Sequence, residues 1–185
     1  MADATFLDVR RIAADADAEA ADVALAMTED EFRAFYDRTS GALWGYLSRI
    51  SGDRQIADDL LQESYYRLLK SAVAFESENH RRNYLYRIAT NLVRDNHRAA
   101  KPLFAEGIEV ADVAGPEPHA SAESRQDVRR ALGRLKPRER ALLWLAYANG
   151  SSHAEIADVL GLKTGSIKLL LFRARRKMAT ALQRG

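Results

Sequence analysis

The stretch that decides the fold is SSHAEIADVLGLKTGSIKLLLFRARRKM, residues 151–178. Ser152 stands three residues before Glu155, which is the spacing of a capping box at the start of a helix. Gly161 suits the left-handed residue that commonly ends a helix. A second run with helical periodicity follows within a few residues. The stretch therefore predicts two helices joined by a tight turn.

Three positions in this helix pair have the spacing of a helix-turn-helix. Ala157 is small where two crossing helices must approach, Gly161 comes four residues later, and Ile167 follows six residues after that. The β-branched side chain falls where the second helix must pack back on the first. This spacing is typical of a DNA-binding helix-turn-helix. An αα-hairpin with a glycine corner uses the same turn chemistry and is the alternative.

The second helix of such a motif enters the major groove of DNA by its N-terminal turns. Its side chains expected near DNA are Lys163, Thr164, Ser166, Lys168 and Leu169, with Arg173 and Arg176 nearer the phosphates. A buried stripe is predicted at Ile167, Leu171, Ala174 and Met178. At about 100° per residue, Leu169 points nearly opposite that stripe. Contact with a thymine methyl or with a protein partner would each explain an apolar residue there.

The rest of the chain also has helical periodicity and no convincing strand. Thr28 and Glu31 form a second capping-box pattern, and SGDRQ at residue 51 breaks the run that follows. AFESENHRRN at residue 74 is polar and predicts a loop before another helix. We predict an all-α fold of two small helical domains joined by a flexible linker. The predicted segments are an acidic extension 1–27, a first domain 28–101, a Pro-containing linker 102–123 and a helix-turn-helix domain 124–185.

The net charge of +2 conceals a strong asymmetry along the chain. Residues 1–31 hold two basic against nine acidic side chains, and residues 102–122 hold four acidic and no basic ones. Residues 32–101 hold 12 basic against 8 acidic side chains, and residues 123–185 hold 14 against 5. Two basic blocks of this kind favour a polyanion such as nucleic acid as partner. Solvated helix faces are the alternative, especially for the first block.

Several functional classes are disfavoured by what the sequence lacks. With no cysteine, disulfides and thiol chemistry are excluded, and the four histidines have no metal-ligand spacing. We therefore expect no metal and no cofactor. No nucleophile elbow or phosphate-binding loop is present, so an enzyme is not expected. The absence of a long apolar run and of a signal-peptide pattern predicts a cytoplasmic protein.

Three segments of the chain, the last of which includes the helix-turn-helix, carry a family resemblance. They are IADDLLQESYYRLLK at residue 56, NYLYRIATNLVRDNHR at residue 83 and ALGRLKPRERALLWLAYANGSSHAEIADVLGLKTGSIKLLLFRARRKM at residue 131. In this order, with an acidic linker between the second and third, they resemble bacterial RNA polymerase sigma factors of the extracytoplasmic-function (ECF) type. The resemblance covers residues 30–183. It implies a subunit that binds core RNA polymerase, recognises the minus-ten and minus-thirty-five promoter elements, and promotes DNA melting.

The resemblance also implies which residues carry these roles. Core polymerase would bind Asp58, Asp59, Gln62, Glu63 and Tyr66. A loop before the basic helix would receive a flipped base of the minus-ten element. The residues implied there, and along the basic helix that follows, are Glu78, Asn79, His80, Arg82, Asn83, Tyr84, Arg87, Asn91, Arg94 and Arg98. Tyr86 is a second stacking candidate, although either tyrosine also fits a core position. Solvated polar surfaces are the alternative for both sets.

One departure from the family concerns the recognition helix. Members commonly carry a serine and an arginine after its lysine, whereas this chain has Leu169 and Leu170 after Lys168. We expect weaker or altered readout of the minus-thirty-five element as a result. Many members are held inactive by an anti-sigma factor, which an exposed Leu169 could serve. The rival hypothesis is a stand-alone helix-turn-helix regulator whose first domain senses a ligand or dimerises.

Overall fold

The computed structural model describes residues 27–99 and 122–183. The first range forms three helices, namely α1 Glu29–Ser51, α2 Arg54–Leu69 and α3 Glu78–Ala99. The second range forms α4 Ala122–Gly133, α5 Pro137–Leu143, a π-helical turn Trp144–Ala148, α6 His153–Leu160 and α7 Thr164–Gln183. All regular structure in these two ranges is helical, as predicted. Nearly all of the acidic extension and the linker lies outside the described residues.

The N-terminal unit, α1 to α3, is built on local signals that the sequence displays. Thr28 and Glu31 form the predicted capping box at the start of α1. Gly52 ends α1 with a φ of 81°, in the left-handed region that glycine adopts without steric cost. Asp53 then caps α2, since its side chain accepts hydrogen bonds from the backbone nitrogens of Gln55 and Ile56.

The core of the N-terminal unit is rich in fully buried aromatic and leucine side chains. It includes Phe35, Leu43, Tyr46, Leu47, Tyr65, Leu68 and Leu85. The phenols are hydrogen-bonded: Tyr65 pairs with Thr39, and Tyr46 with Thr90, both at 2.7 Å. Burial raises the pKa of both phenols, so they stay neutral donors. These pairs satisfy polar atoms that would otherwise be costly to bury.

The helix-turn-helix of the C-terminal unit, α4 to α7, forms as predicted. The Ser152–Glu155 capping box is present, and Gly161 ends α6 with a φ of 64°. Ile167 is fully buried against α6, and Leu171 and Ala174 continue the predicted stripe. The sequence prediction of the turn and its core is therefore confirmed.

The predicted loop over residues 74–83 is wrong in its second half. Helix α3 begins at Glu78, not near Tyr84. The Ser77 hydroxyl accepts a hydrogen bond from the His80 backbone nitrogen at 3.1 Å, as an N-cap residue does. The acidic Glu78 also complements the positive end of the helix dipole. The candidate residues from Glu78 to Asn83 consequently lie on a helix rather than in a loop.

The two units pack against each other. Helix α3 lies against α6, and α1 lies against α5. Most of their buried apolar residues belong to one cluster that runs from Met27 to Leu171, while Ala131, Leu135 and Ala181 form a second cluster within the C-terminal unit. The sequence predicts both units but does not predict this contact between them.

Candidate nucleic-acid and polymerase interfaces

The five residues implied in polymerase binding form one stripe along α2. Their spacing along the helix places them on the face opposite its buried residues. The five residues are Asp58, Asp59, Gln62, Glu63 and Tyr66. Three of them have neighbours that hold them in place: Trp44 Nε1 donates to Asp58 Oδ1 at 2.6 Å, Glu63 pairs with Arg67 at 2.7 Å, and Lys70 lies over the Tyr66 ring. Asp59 is exposed. The stripe therefore presents hydrogen-bond acceptors and one aromatic ring to solvent.

The first turns of α3 gather the polar residues implied in base capture. Glu78 accepts two hydrogen bonds from Arg38, at 3.1 and 3.0 Å. Arg82 donates to Asn79 Oδ1 at 2.8 Å, while Asn83 is buried with only 8% of its surface exposed. The amide nitrogens of Asn79 and Asn83 both point toward the same side, because both donate to one carboxylate described below.

An aromatic group borders these polar residues. The Phe75 ring lies 5.4 Å from Tyr84 and 5.7 Å from His80, each edge to face. Arg87 stacks over the Tyr84 ring, with its guanidinium 4.8 Å from the ring centroid. Phe75 was missed by sequence reasoning, because it precedes α3 and belongs to no periodic pattern. Half-buried rings beside amide donors provide the stacking and polar edges that base binding needs.

Tyr86, the second stacking candidate, belongs to the core. It is 1% exposed and packs edge to face on Tyr46 at 5.1 Å. Burial raises the pKa of Tyr86 to about 12, opposed in part by the Trp144 side chain. Tyr84 is thus the one of the two tyrosines that remains half-exposed at the candidate site.

The implied basic stripe is present along α3. Arg87, Asn91, Arg94 and Arg98 recur at helical spacing on one face. Arg94 Nη1 donates a hydrogen bond to Asn91 Oδ1 at 3.4 Å. Arg98 Nη1 lies 3.8 Å from Asp95 Oδ1. Such a row suits a phosphate backbone.

Helix α6 packs against part of this surface, while Asn79, Arg94 and Arg98 remain exposed. Glu155 Oε1 accepts hydrogen bonds from the side-chain amides of Asn79 and Asn83, the second at 2.9 Å. Further along, Asp158 pairs with Arg87 at 3.2 Å. The hydrogen bonds from Asn83 and the Ser152 backbone lower the pKa of Glu155 to about 2, with a smaller contribution from Asn79. The covering helix is therefore negatively charged at neutral pH where it faces the donors of α3.

A second contact between the units centres on Trp144. The Arg49 guanidinium stacks over its ring, 4.3 Å from the centroid. Gly45 faces the same ring so closely that a Cβ there would lie 3.1 Å from Trp144 Cη2. Neither Trp144 nor Gly45 was singled out by the sequence analysis. The only available signal was a glycine in the middle of a helical run, which often marks a close approach.

The recognition helix α7 presents the residues predicted to meet DNA. Lys163, Thr164, Ser166, Lys168, Leu169, Arg173 and Arg176 are all exposed. Leu169 is 51% exposed and Phe172, one turn further on, is 48% exposed. Phe172 was missed by sequence reasoning and carries the Arg176 guanidinium over its ring at 5.9 Å. Leu170, by contrast, is half-buried and packs on the core, which accounts for it without a ligand.

Two absences hold for the described residues alone. Among residues 27–99 and 122–183, no group of His, Asp and Glu side chains is arranged to hold a metal ion. No helix in these ranges has the length and apolarity to cross a bilayer.

The fold and these surfaces define a two-part helical protein with a DNA-binding helix-turn-helix, and comparison with known proteins identifies its family. The family models Sigma-70 region 2 and Sigma-70 region 4 match residues 35–102 and 125–178. The ECF RNA polymerase sigma factor SigL of Mycobacterium tuberculosis is 31% identical over 82% of this chain and 88% of its own length. BldN of Streptomyces coelicolor, also an ECF RNA polymerase sigma factor, is 30% identical over 94% of this chain and 70% of its own.

The chain belongs to the sigma-70 family and, within it, to the ECF RNA polymerase sigma factors. A solved structure shares the fold: the sigma factor RpoE of Bartonella quintana, in complex with the anti-sigma factor NepR, gives a TM-score of 0.66. It is 23% identical, and the match covers 83% of this chain and 97% of RpoE. These findings favour the sigma-factor hypothesis over the stand-alone regulator.

Proposed function

We propose that this chain is a promoter-specificity subunit that joins core RNA polymerase in the cytoplasm and directs it to two DNA elements. The observation that carries the proposal is the presence of both sigma regions, in order, in one chain. The work divides between them: the α2 stripe holds the polymerase, α3 engages the minus-ten element, and α7 reads the minus-thirty-five element. An anti-sigma factor belongs to the proposal as a further partner, as NepR is for RpoE.

DNA opening by this chain needs no catalytic group, and no enzymatic activity is part of the proposal. Strand separation is a population shift in which binding of the open state offsets an unstacking cost of about a few kcal/mol. Asn79 and Asn83 would donate to a flipped base, and the rings of Phe75 and Tyr84 would flank it. Arg94 and Arg98 would hold the adjoining phosphates.

Polymerase binding tests the proposal directly. We expect the chain to co-elute with core RNA polymerase, and Asp59→Ala to weaken the complex at least about tenfold, since a charged hydrogen-bonding group is lost from the contact. Asp30→Ala, an exposed carboxylate at the start of α1, is the matched control and should bind as the parent does. Equal affinities of the two variants for core polymerase would show that Asp59 does not contribute to the contact. Failure of the parent chain to bind core polymerase would refute the proposal.

The apolar surface of Leu169 and Phe172 suggests how the minus-thirty-five element is read. Both side chains are exposed one helical turn apart, flanked by Lys168 and Arg173. Cations on each side suit phosphates, and apolar atoms between them suit thymine methyl groups in the major groove. We propose that the chain reads thymine methyl groups with Leu169, which stands where typical members carry a serine.

Uracil-substituted DNA tests this reading without altering the protein. Replacing thymine by uracil in the minus-thirty-five element deletes only the methyl group, worth about 0.8 kcal/mol or a fourfold loss of affinity. The loss should appear with the parent chain and vanish with Leu169→Ala in a holoenzyme mobility-shift titration. A similar loss in both proteins would show that Leu169 does not contact the methyl group.

A further inference from the structure

A basic cleft lies between the start of α5 and the middle of α7. Leu142 of α5 and Leu170 of α7 contribute its apolar surface. Its volume is about 290 Å³, and its charged lining residues are Lys136, Arg138, Glu139, Arg173 and Lys177. A larger opening of about 520 Å³ shares several of these residues and continues past Arg176. We call the first of these openings the α5–α7 cleft.

The charges that line the α5–α7 cleft are not balanced. Glu139 is its one carboxylate among the described residues, and the Lys177 ammonium already pairs with it. The Lys136 backbone nitrogen donates to the other oxygen of that carboxylate at 3.0 Å. The side chains of Lys136, Arg138 and Arg173 are exposed, and none of them forms an ion pair within residues 27–99 and 122–183. Such a cluster of cations attracts an anion.

Leu170 connects this cleft to the departure noted in the recognition helix. Typical members carry an arginine at this position, so the leucine removes one cation from α7. Leu170 and Lys136 line the same cleft from its two sides. The charge that α7 lacks is therefore present across the cleft, at the residue that precedes α5.

Arg173 relates the cleft to the surface proposed to read DNA. It follows Leu169 by four residues on α7, so the two exposed side chains lie on one face of the helix. When Leu169 meets base edges in the major groove, Arg173 lies nearer the DNA backbone at the edge of the groove. A phosphate bound by Arg173 would lie at the α5–α7 cleft, which Lys136 also lines.

We propose that Lys136 and Arg173 bind one backbone phosphate of the minus-thirty-five element between them, so that Lys136 takes over the role of the arginine that Leu170 replaces. The guanidinium can donate to two phosphate oxygens, and the ammonium adds a point charge. This inference rests on the proposed function, because that function places α7 on DNA.

The test removes charge from each side of the contact in turn. Lys136→Gln and Arg173→Gln each remove one cation and keep a polar side chain. On the DNA, a methylphosphonate linkage replaces one phosphate by a neutral group, and it is moved through the minus-thirty-five element one position at a time. Affinity is measured by mobility shift with the holoenzyme, on a duplex that the parent holoenzyme selects from a random pool.

One methylphosphonate position should lower the affinity of the parent by about tenfold, since a charged contact is lost there. It should weaken Lys136→Gln and Arg173→Gln much less, and the double variant not at all. On unmodified DNA, the dependence of log affinity on log salt should fall by about one in the double variant, because two cations share one phosphate. Arg130→Gln is the control, since Arg130 pairs with Asp127 outside the cleft, and it should match the parent.

Leu170→Arg tests whether Lys136 replaces the missing arginine. In the Lys136→Gln chain, the new arginine should restore the affinity and the full response to the same methylphosphonate, because its long side chain can carry the guanidinium from a half-buried position into the cleft. Thermal unfolding followed by circular dichroism checks that this chain is folded. Lys136→Arg keeps the charge without altering the core and should behave as the parent does.

Several results would overturn the shared phosphate. They are a Lys136→Gln chain that matches Arg130→Gln, different sensitive phosphates for Lys136 and Arg173, and a salt dependence that falls by about two in the double variant. A folded chain in which Leu170→Arg restores nothing would overturn the replacement of the arginine. Failure of the proposed function would look different, because the parent chain would then form no polymerase-dependent complex with any duplex.

Discussion

Replacing Ile167 by alanine is expected to destabilise the chain by about 2–5 kcal/mol and to abolish binding of the minus-thirty-five element. Ile167 is fully buried where α7 packs on α6, and alanine leaves a cavity that the tight turn at Gly161 cannot close. The destabilisation can be measured as the shift in urea midpoint followed by circular dichroism.

Leu169→Ala is the control for that experiment. It removes a similar side chain only two residues away on the same helix, but from an exposed position. Its stability should stay within about 0.5 kcal/mol of the parent. Equal losses of stability in the two variants would contradict an α7 that turns Ile167 toward the core and Leu169 toward solvent.

The second large effect is expected from Arg94→Ala combined with Arg98→Ala. Both guanidinium groups lie on the exposed face of α3, where they would neutralise DNA phosphates. Holoenzyme carrying both changes should form open complexes at least about tenfold less readily. The dependence of log affinity on log salt should fall by about two, one for each lost phosphate contact.

Arg33→Ala provides the comparison for this pair. Arg33 is exposed on α1 and pairs with Glu29, away from the basic stripe of α3. Its salt dependence should equal that of the parent. A salt dependence unchanged in the Arg94 and Arg98 variant would show that these residues do not meet phosphates.

Local signals allowed much of this fold to be predicted. The capping boxes at Thr28 and Ser152 and the left-handed Gly161 are determined by residues within four positions of each other, and all were readable. The start of α3 was missed because the first turns of a surface helix are polar and resemble a loop. The Ser77 cap was the available signal.

The contact between the units could not be read from the sequence. Asn79 and Glu155 are 76 positions apart, and neither forms part of a periodic pattern that spans that distance. Glu155 already had a sufficient local explanation as a capping residue, which concealed its second role. Trp144 and Gly45 meet for the same reason, through tertiary packing alone. The candidate residues from Tyr84 to Arg98 were predicted on a helix, whereas those from Glu78 to Asn83 were predicted in a loop and lie in the first turns of α3. Their contacts with α6 became visible only in the structure.

Transcription reconstituted with core RNA polymerase on a pool of random promoters tests whether this chain directs the polymerase to promoters. We expect transcripts that appear only when this chain is added and that start downstream of two shared DNA elements at a fixed separation. Changing Asn79 and Asn83 together should abolish these starts while core polymerase still binds the chain. Polymerase that binds the chain yet initiates no transcripts dependent on it would show that the chain is not a promoter-specificity subunit.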